Sequence, residues 1–216
     1  MIRVMIADDH HIVRQGIRAL LEKHPDIEVV WEAQDGMDAL NYCIQIEPDV
    51  LVLDINMPKM NGIEVIQQIA DAQIRTQVVI LSMYSEEALV ERALRSGARG
   101  YLLKKSITED LLAAIRAAHQ GKKYVSSELV HLIDVQSRQA RTPDSLDAVD
   151  RLSPREREVC HLVVKGFTNQ AIAAELGISV KTVEKHRSNL MLKLHVQDVA
   201  GLIRESIRTG IEFLEG

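Results

Sequence analysis

Cysteine is scarce in this 216-residue chain: Cys43 and Cys160 are the only two. They fall in different predicted units with neither metal-ligand nor redox spacing. This excludes a disulfide framework and a cysteine-based zinc site, and both read as reduced core thiols of a cytoplasmic protein. Long apolar runs are missing too. None approaches the roughly 20 residues a membrane span needs, so no membrane partner is expected. Asp8 and Asp9 interrupt what would have to be the apolar core of a secretory leader, so no leader is expected either. There are no internal repeats and no low-complexity tract. Glycine-rich phosphate loops and hydrolase elbows are also absent, which removes two common routes to an enzyme.

What remains is a chain with 46% hydrophobic and 26% charged residues, the balance of a globular protein long enough for two domains. Its net charge of −5 is unevenly spread. Residues 1–123 carry 14 Lys and Arg against 18 Asp and Glu, residues 124–150 carry 2 against 5, and residues 151–216 carry 10 against 8. A mildly basic C-terminal unit on an acidic chain is compatible with nucleic-acid binding.

Five apolar strand patterns alternate with helical ones over the first 120 residues. The strands are residues 2–7, 29–31, 50–53, 78–81 and 101–103. The helices are residues 11–23, 37–46, a third opening at Asn61-Gly62, 86–96 capped by Ser85, and a fifth that Ser106 and Glu109 would cap, running to Gln120. Strict alternation implies a doubly wound five-stranded parallel sheet of order 2-1-3-4-5 with helices on both faces. Strands 1, 3, 4 and 5 then deliver Asp8-Asp9, Asp54, Ser82 and Lys104 to one edge, where such sheets bind ligands.

Three carboxylates in one crevice repel one another unless a cation sits among them, and Mg2+, which takes carboxylates, water and phosphate oxygens, fits best. A lysine opposite supplies a fixed charge for a second anion. Acids with metal on one side and Lys104 on the other suit a phosphoryl group, with Asp54 as the nucleophile that becomes an acyl phosphate. Asp8 and Asp9 would hold Mg2+, and Ser82 could donate to the phosphoryl oxygens. The neighbouring His10 and His11 do not make a zinc site, which would want further His or Cys ligands. An aspartyl phosphatase would need a second acid two residues after its nucleophile, and that residue is Asn56.

These residues carry a resemblance: the first 120 or so are similar to the receiver domain of response regulators. The resemblance implies that Asp8 and Asp9 are the acidic pair, Asp54 the phosphoacceptor, Ser82 the switch hydroxyl, Tyr101 the switch aromatic, and Lys104 the phosphate-binding lysine. It also implies that the backbone carbonyl of Asn56 is a metal ligand beside Asp8, Asp9 and Asp54. One departure is Lys105, where many relatives carry proline. It bears on the loop after strand five and not on the phosphate site.

A helix over residues 125–136 is expected next, then a polar linker over 137–150 containing Pro143. Ser153, Pro154 and Glu156 make a strong helix start. Helices follow over 154–165, 169–176, 180–194 and 198–209, the middle two arranged as a helix-turn-helix around Gly177. At 100° per residue, Val183, Leu190 and Leu194 share a core-facing stripe of the third helix. Lys181, Glu184, Lys185 and Ser188 lie opposite, with Thr182, Lys193 and Arg187 at the flanks. The run Leu152-Ser153-Pro154-Arg155-Glu156-Arg157-Glu158-Val159, with Gly166, Asn169, Ile172-Ala173, Leu176, Ser179, Thr182-Val183, His186 and Lys193-Leu194, resembles the LuxR-type helix-turn-helix. Together the two units resemble NarL-type response regulators.

The resemblance divides the chain into a receiver at 1–122, a helix and linker at 123–150 and a DNA-binding domain at 151–216. It implies a sensor histidine kinase as partner, double-stranded DNA as target, and a homodimer when phosphorylated or on DNA. Glu184, Lys185 and Ser188 would then contact bases. Lys181, Thr182, Arg187 and Lys193 would contact phosphates, and His186 either. Phosphorylation of Asp54 is expected to draw in Ser82 and Lys104, to bias Tyr101 inward, and to release or dimerise the C-terminal domain.

Overall fold

The computed structural model describes residues 1–130 and 152–209. The chain divides into two compact units, residues 1–137 and 138–216. In the first, β1 (Ile2–Ala7), β2 (Ile27–Ala33), β3 (Val50–Asp54), β4 (Gln77–Ser82) and β5 (Gly100–Leu103) alternate with α1 (His11–Leu21), α2 (Gly36–Ile46), α3 (Gly62–Asp71), α4 (Glu87–Arg95) and α5 (Ile107–His119). All pairings are parallel. The order is β2-β1-β3-β4-β5-β6, so the sheet has one strand more than the sequence pattern indicates. β6 (Tyr124–Val125) pairs with Gly100 and Tyr101 of β5. Two residues are too short for any periodicity to reveal, and only the pairing partner defines them as a strand.

β3 is buried at every position because helices cover both faces. Val50 and Val52 pack with Ile17, Leu21, Leu111 and Ile115 of α1 and α5. Their alternates Leu51 and Leu53 point to the opposite face and are equally buried. Register then sets the site. Ala7 pairs with Leu53, Asp54 with Leu81 and Ser82 with Leu103, so Asp8 is level with Asp54, Ser82 lies one residue further along and Lys104 two, all at the same edge.

Two caps differ from expectation. The Ser106–Glu109 capping box does not form, because Lys104–Ser106 winds into a 3-10 turn. That leaves Ser106 at φ −101°, ψ 9°, outside the extended conformation a capping serine needs. Ser85 does not cap α4 either. The extended residue is Glu86, which places the helix start beyond the serine's reach. The helix expected over 125–136 opens instead as β6 and a 3-10 turn, Ser127–Leu129. Its later part and the 137–150 linker lie outside the described residues.

In the second unit, α6 (Pro154–Val164), α7 (Asn169–Leu176), α8 (Val180–Lys193) and α9 (Val199–Thr209) are each set by local signals. The Ser153–Glu156 capping box forms, with Pro154 in the first turn of α6. Thr168 caps α7 and Ser179 caps α8, and Gly177 turns the chain between them at φ +63°. Val159, Cys160, Ile172, Val183, Leu190 and Leu202 form the core. Among the described residues no helix is long and apolar enough to cross a membrane.

Candidate functional site

The edge formed by β1, β3, β4 and β5 carries a dense charge cluster. The Lys104 ammonium lies 2.7 Å from Asp54 Oδ2 and 2.8 Å from Asp8 Oδ2. Its side chain is only 11% exposed. Asp8 and Asp54 are buried, and a ligand atom from each of Asp8, Asp9, His10 and Asp54 falls within 4.8 Å of every other. Burial pushes the Asp54 carboxyl up to about 6, and the Asp8 charge adds to that, although Lys104 and the Asn56 backbone N–H pull the other way. Burial works against the Lys104 charge, but contact with Asp54 and then Asp8 outweighs it and raises the lysine.

The geometry accommodates a divalent cation. Asp8 Oδ1 accepts the His10 backbone N–H at 2.9 Å. Asp8 Oδ2 is buried and faces the Lys104 ammonium at 2.8 Å. Three carboxylates whose oxygens converge within 4.8 Å, with one ammonium shared between two of them, leave a negative excess that a hard cation relieves.

Glycines bring the β3–α3 loop close to this cluster. A Cβ at Gly62 would stand 2.5 Å from the carbonyl oxygen of Asp54 and 2.9 Å from Ile55 Cα. A Cβ on Gly36 would stand 1.9 Å from the Met60 carbonyl oxygen. Lys59 closes the loop onto α2 through a 2.5 Å ion pair with Asp35.

Ser82 and Tyr101 are joined through a residue that sequence reasoning missed. Ser82 Oγ accepts the Tyr84 backbone N–H at 3.0 Å, and the Tyr101 hydroxyl donates to the Tyr84 carbonyl at 2.9 Å. Tyr101 is fully buried, and burial raises its phenol well above the ordinary range. The inward turn expected on phosphorylation is therefore already present, because the sheet buries the ring and Tyr84 satisfies its hydroxyl. No spacing signal marks Tyr84, since it acts through its backbone.

A second missed residue is Ser126. It is fully buried, accepts the Leu103 N–H on its Oγ at 3.2 Å and donates its own N–H to Tyr101 at 3.1 Å. Lys105, the departure from the family pattern, pairs with Glu128 at 2.5 Å. The segment after β6 is thus strapped to the strand that carries Tyr101 and Lys104.

In the second unit Val183, Leu190 and Leu194 are buried, while Lys181, Glu184, Lys185 and Ser188 are exposed along α8. His186 is half-buried. Three of the flanking residues have partners inside the unit. Thr182 Oγ1 lies 2.7 Å from Ser179 Oγ, and Arg187 donates to Asn169 Oδ1 at 2.5 Å. Lys193 donates to the buried Glu156 at 2.7 Å. The Ser188 hydroxyl donates to the Glu184 carbonyl at 2.9 Å. Burial opposes the Glu156 charge, yet Lys193 and the Ser153 N–H hold its carboxyl below the usual range.

Comparison with known proteins adds an independent line. Residues 4–116 match the response regulator receiver domain, and residues 150–206 match the bacterial regulatory proteins of the luxR family. The oxygen regulatory protein NreC of Staphylococcus epidermidis is 37% identical over 211 residues, spanning 95% of this chain and 97% of that protein. The RcsB response regulator of Salmonella typhimurium superposes with a TM-score of 0.58 at 30% identity, over 94% of this chain and 96% of the other. A structure of two RcsB dimers bound to two parallel DNAs gives a TM-score of 0.60 at 30% identity, with the same coverage.

Proposed function

The chain belongs to the two-component response regulators that join a receiver domain to a LuxR-type DNA-binding domain, and from that premise we propose that Asp54 is the phosphoacceptor controlling DNA binding. It is a DNA-binding transcription regulator and not an enzyme. Its receiver implies a histidine kinase as partner. The observation that carries the proposal is the Lys104 ammonium within 2.8 Å of both Asp54 and Asp8 on the ligand-binding edge.

Phosphoryl transfer from a kinase phosphohistidine breaks the N–P bond and forms a P–O bond to Asp54, and the imidazole leaves neutral after taking a proton. Asp8, Asp9, Asp54 and the Asn56 carbonyl would hold Mg2+, which supplies charge neutralisation for the incoming phosphoryl oxygens. Lys104 then exchanges part of its contact with Asp54 for a phosphoryl oxygen. Ser82 keeps its own proton to donate to another. As Ser82 moves toward the phosphoryl group it draws on Tyr84, whose carbonyl holds Tyr101. Since Tyr101 is already buried, the change is carried by the β4–α4 loop and α4. It reaches the connecting segment through Ser126 and Lys105, both fastened next to Lys104.

The proposed division is a receiver at 1–122, a connecting segment at 123–150 and a DNA-binding domain at 151–216, acting in the cytoplasm. In α8, Glu184, Lys185 and Ser188 are assigned to base contacts. Lys181, Thr182, Arg187 and Lys193 are assigned to phosphate contacts, and His186 to either. Arg187 and Lys193 would trade their internal partners for phosphates. A homodimer on paired half-sites is proposed by analogy with the RcsB dimers on DNA. The test is to titrate DNA from the gene's upstream region with wild type and Asp54→Asn, each with and without a small acyl phosphate and Mg2+. Tighter binding only in phosphodonor-treated wild type is expected. Equal binding under all conditions would reduce the receiver to a structural module.

A further inference from the structure

Arg14 is a largely buried cation beside the acidic pocket that the phosphorylation chemistry does not use. Its side chain is 12% exposed. It stands on α1, and helical side chains slant toward the helix N-terminus. Arg14 therefore reaches back over the first turn, where its Nη1 donates to the Asp8 carbonyl at 2.7 Å. Glu32 of β2 flanks it, with Oε2 3.6 Å from Arg14 Nε and Oε1 accepting from Arg18 Nη1 at 2.6 Å. A bulge puts Glu32 there. Val4 pairs with Val29 but Met5 with Trp31, so the register slips by one residue at Val30. Paired residues of a parallel sheet face the same way, and Ile6, the partner of Glu32, packs with Ile17 and Leu21 of α1. Without the bulge Ile6 would pair with Trp31, and Glu32 would point away from α1.

We propose that Arg14 is a positioning residue for the acidic pair: by holding the Asp8 carbonyl it fixes the Asp8–Asp9 peptide and aims the Asp9 carboxylate at the cation. This rests on the reading that Asp8, Asp9 and Asp54 hold Mg2+. The two neighbouring acids differ in what secures them. Asp8 is buried, accepts the His10 N–H at 2.9 Å and faces Lys104 at 2.8 Å. The Asp9 side chain is 30% exposed and lies against the imidazole of His10, itself 63% exposed. Its direction therefore follows from the backbone that carries it, and a rotation of the Asp8–Asp9 peptide would swing the carboxylate out of the 4.8 Å cluster. Mg2+ demands near-ideal octahedral geometry, so a ligand out of place costs affinity. Charge alone predicts the opposite sign: Arg14 is a cation near a cation site and would by itself repel Mg2+. Glu32 offsets that charge while leaving Nη1 to the carbonyl.

The test is calorimetric titration of the full chain with Mg2+, as wild type, Arg14→Met, Arg14→Lys, Asp9→Asn and the Arg14→Met, Asp9→Asn double variant. Urea unfolding establishes that each is folded. Arg14→Met keeps the aliphatic bulk and is expected to weaken Mg2+ binding about tenfold, the loss typical when a group that orients a metal ligand is removed. Arg14→Lys keeps one donor for the carbonyl and should recover most of that loss. In the Asp9→Asn background the methionine substitution should cost less than about twofold, because the carboxylate that Arg14 aims is gone. Unchanged or tighter binding in Arg14→Met overturns the positioning role and leaves the pocket standing, with Arg14 no more than a charge. An equal loss with and without the Asp9 carboxylate also overturns it, as a general loosening of the receiver. Should Arg14→Met unfold, Glu32→Gln runs the same cycle, since it removes the carboxylate beside the guanidinium, and its loss must again disappear with Asp9. Mg2+ binding that Asp9→Asn does not weaken overturns the pocket reading and this inference together.

Discussion

Asp54 should hold the folded receiver below its attainable stability at neutral pH, and replacing it by asparagine should release that stability. A carboxyl whose folded pKa exceeds its unfolded value favours folding while protonated, and that contribution is lost as pH rises through the folded value. Here the two values are the ordinary 3.8 and about 6, with burial as the principal cause. The loss therefore develops between about pH 4 and 6 and is complete above. Asparagine approximates the protonated acid in shape and charge. Linkage then gives Asp54→Asn an advantage of about 3 kcal/mol at about pH 7.5 that largely disappears by about pH 4.

Urea unfolding followed by tryptophan fluorescence isolates the effect. Trp31 is the only tryptophan, lies on β2 and stacks on Tyr42 at 4.0 Å, so the signal reports the receiver and not the DNA-binding unit. Added Mg2+ should narrow the gap by stabilising the wild-type carboxylates. If the asparagine variant were no more stable at neutral pH, or if its gain were the same in acid, the buried and unfavourably ionised Asp54 described above would be wrong.

Three further outcomes follow from particular contacts. Gly62→Ala puts a methyl 2.5 Å from the Asp54 carbonyl oxygen, a backbone atom that yields little, so a loss of about 2 kcal/mol and slower phosphorylation from a small phosphodonor are expected. Ser126→Ala leaves the buried Leu103 N–H without its acceptor; about 1–3 kcal/mol of local stability should go, read as faster amide exchange at Leu103. Ile12 is 85% exposed on the first turn of α1, within two residues of the pocket. Ile12→Glu should slow transfer from the kinase severalfold while leaving phosphorylation by a small acyl phosphate unchanged, and equal slowing of both would show that Ile12 serves the pocket itself.

Five of the strands and most helices could be read from the sequence, because those choices are local. Val50–Leu53 is apolar without interruption, which only a strand covered on both faces sustains, and the acid at its end is left at the sheet edge. The Ser153–Glu156 box likewise needs only residues three apart. Pattern and alternation were therefore enough to bring Asp8, Asp54, Ser82 and Lys104 to one edge. Tertiary structure decided the rest, wherever a partner distant in sequence or a particular backbone angle was needed. β6 is a strand only because Gly100 and Tyr101 lie beside it. Ser106 loses its cap because the turn that brings Lys104 to Asp54 takes it out of the extended conformation. Tyr84 matters through its backbone, which carries no residue-specific signal. The largely exposed His10 ring lies against Asp9 because the chain leaving β1 turns at Asp8, whose side chain takes the His10 N–H. Periodicity records which face of an element is buried, while distances between side chains on different strands are set only when the sheet closes its register.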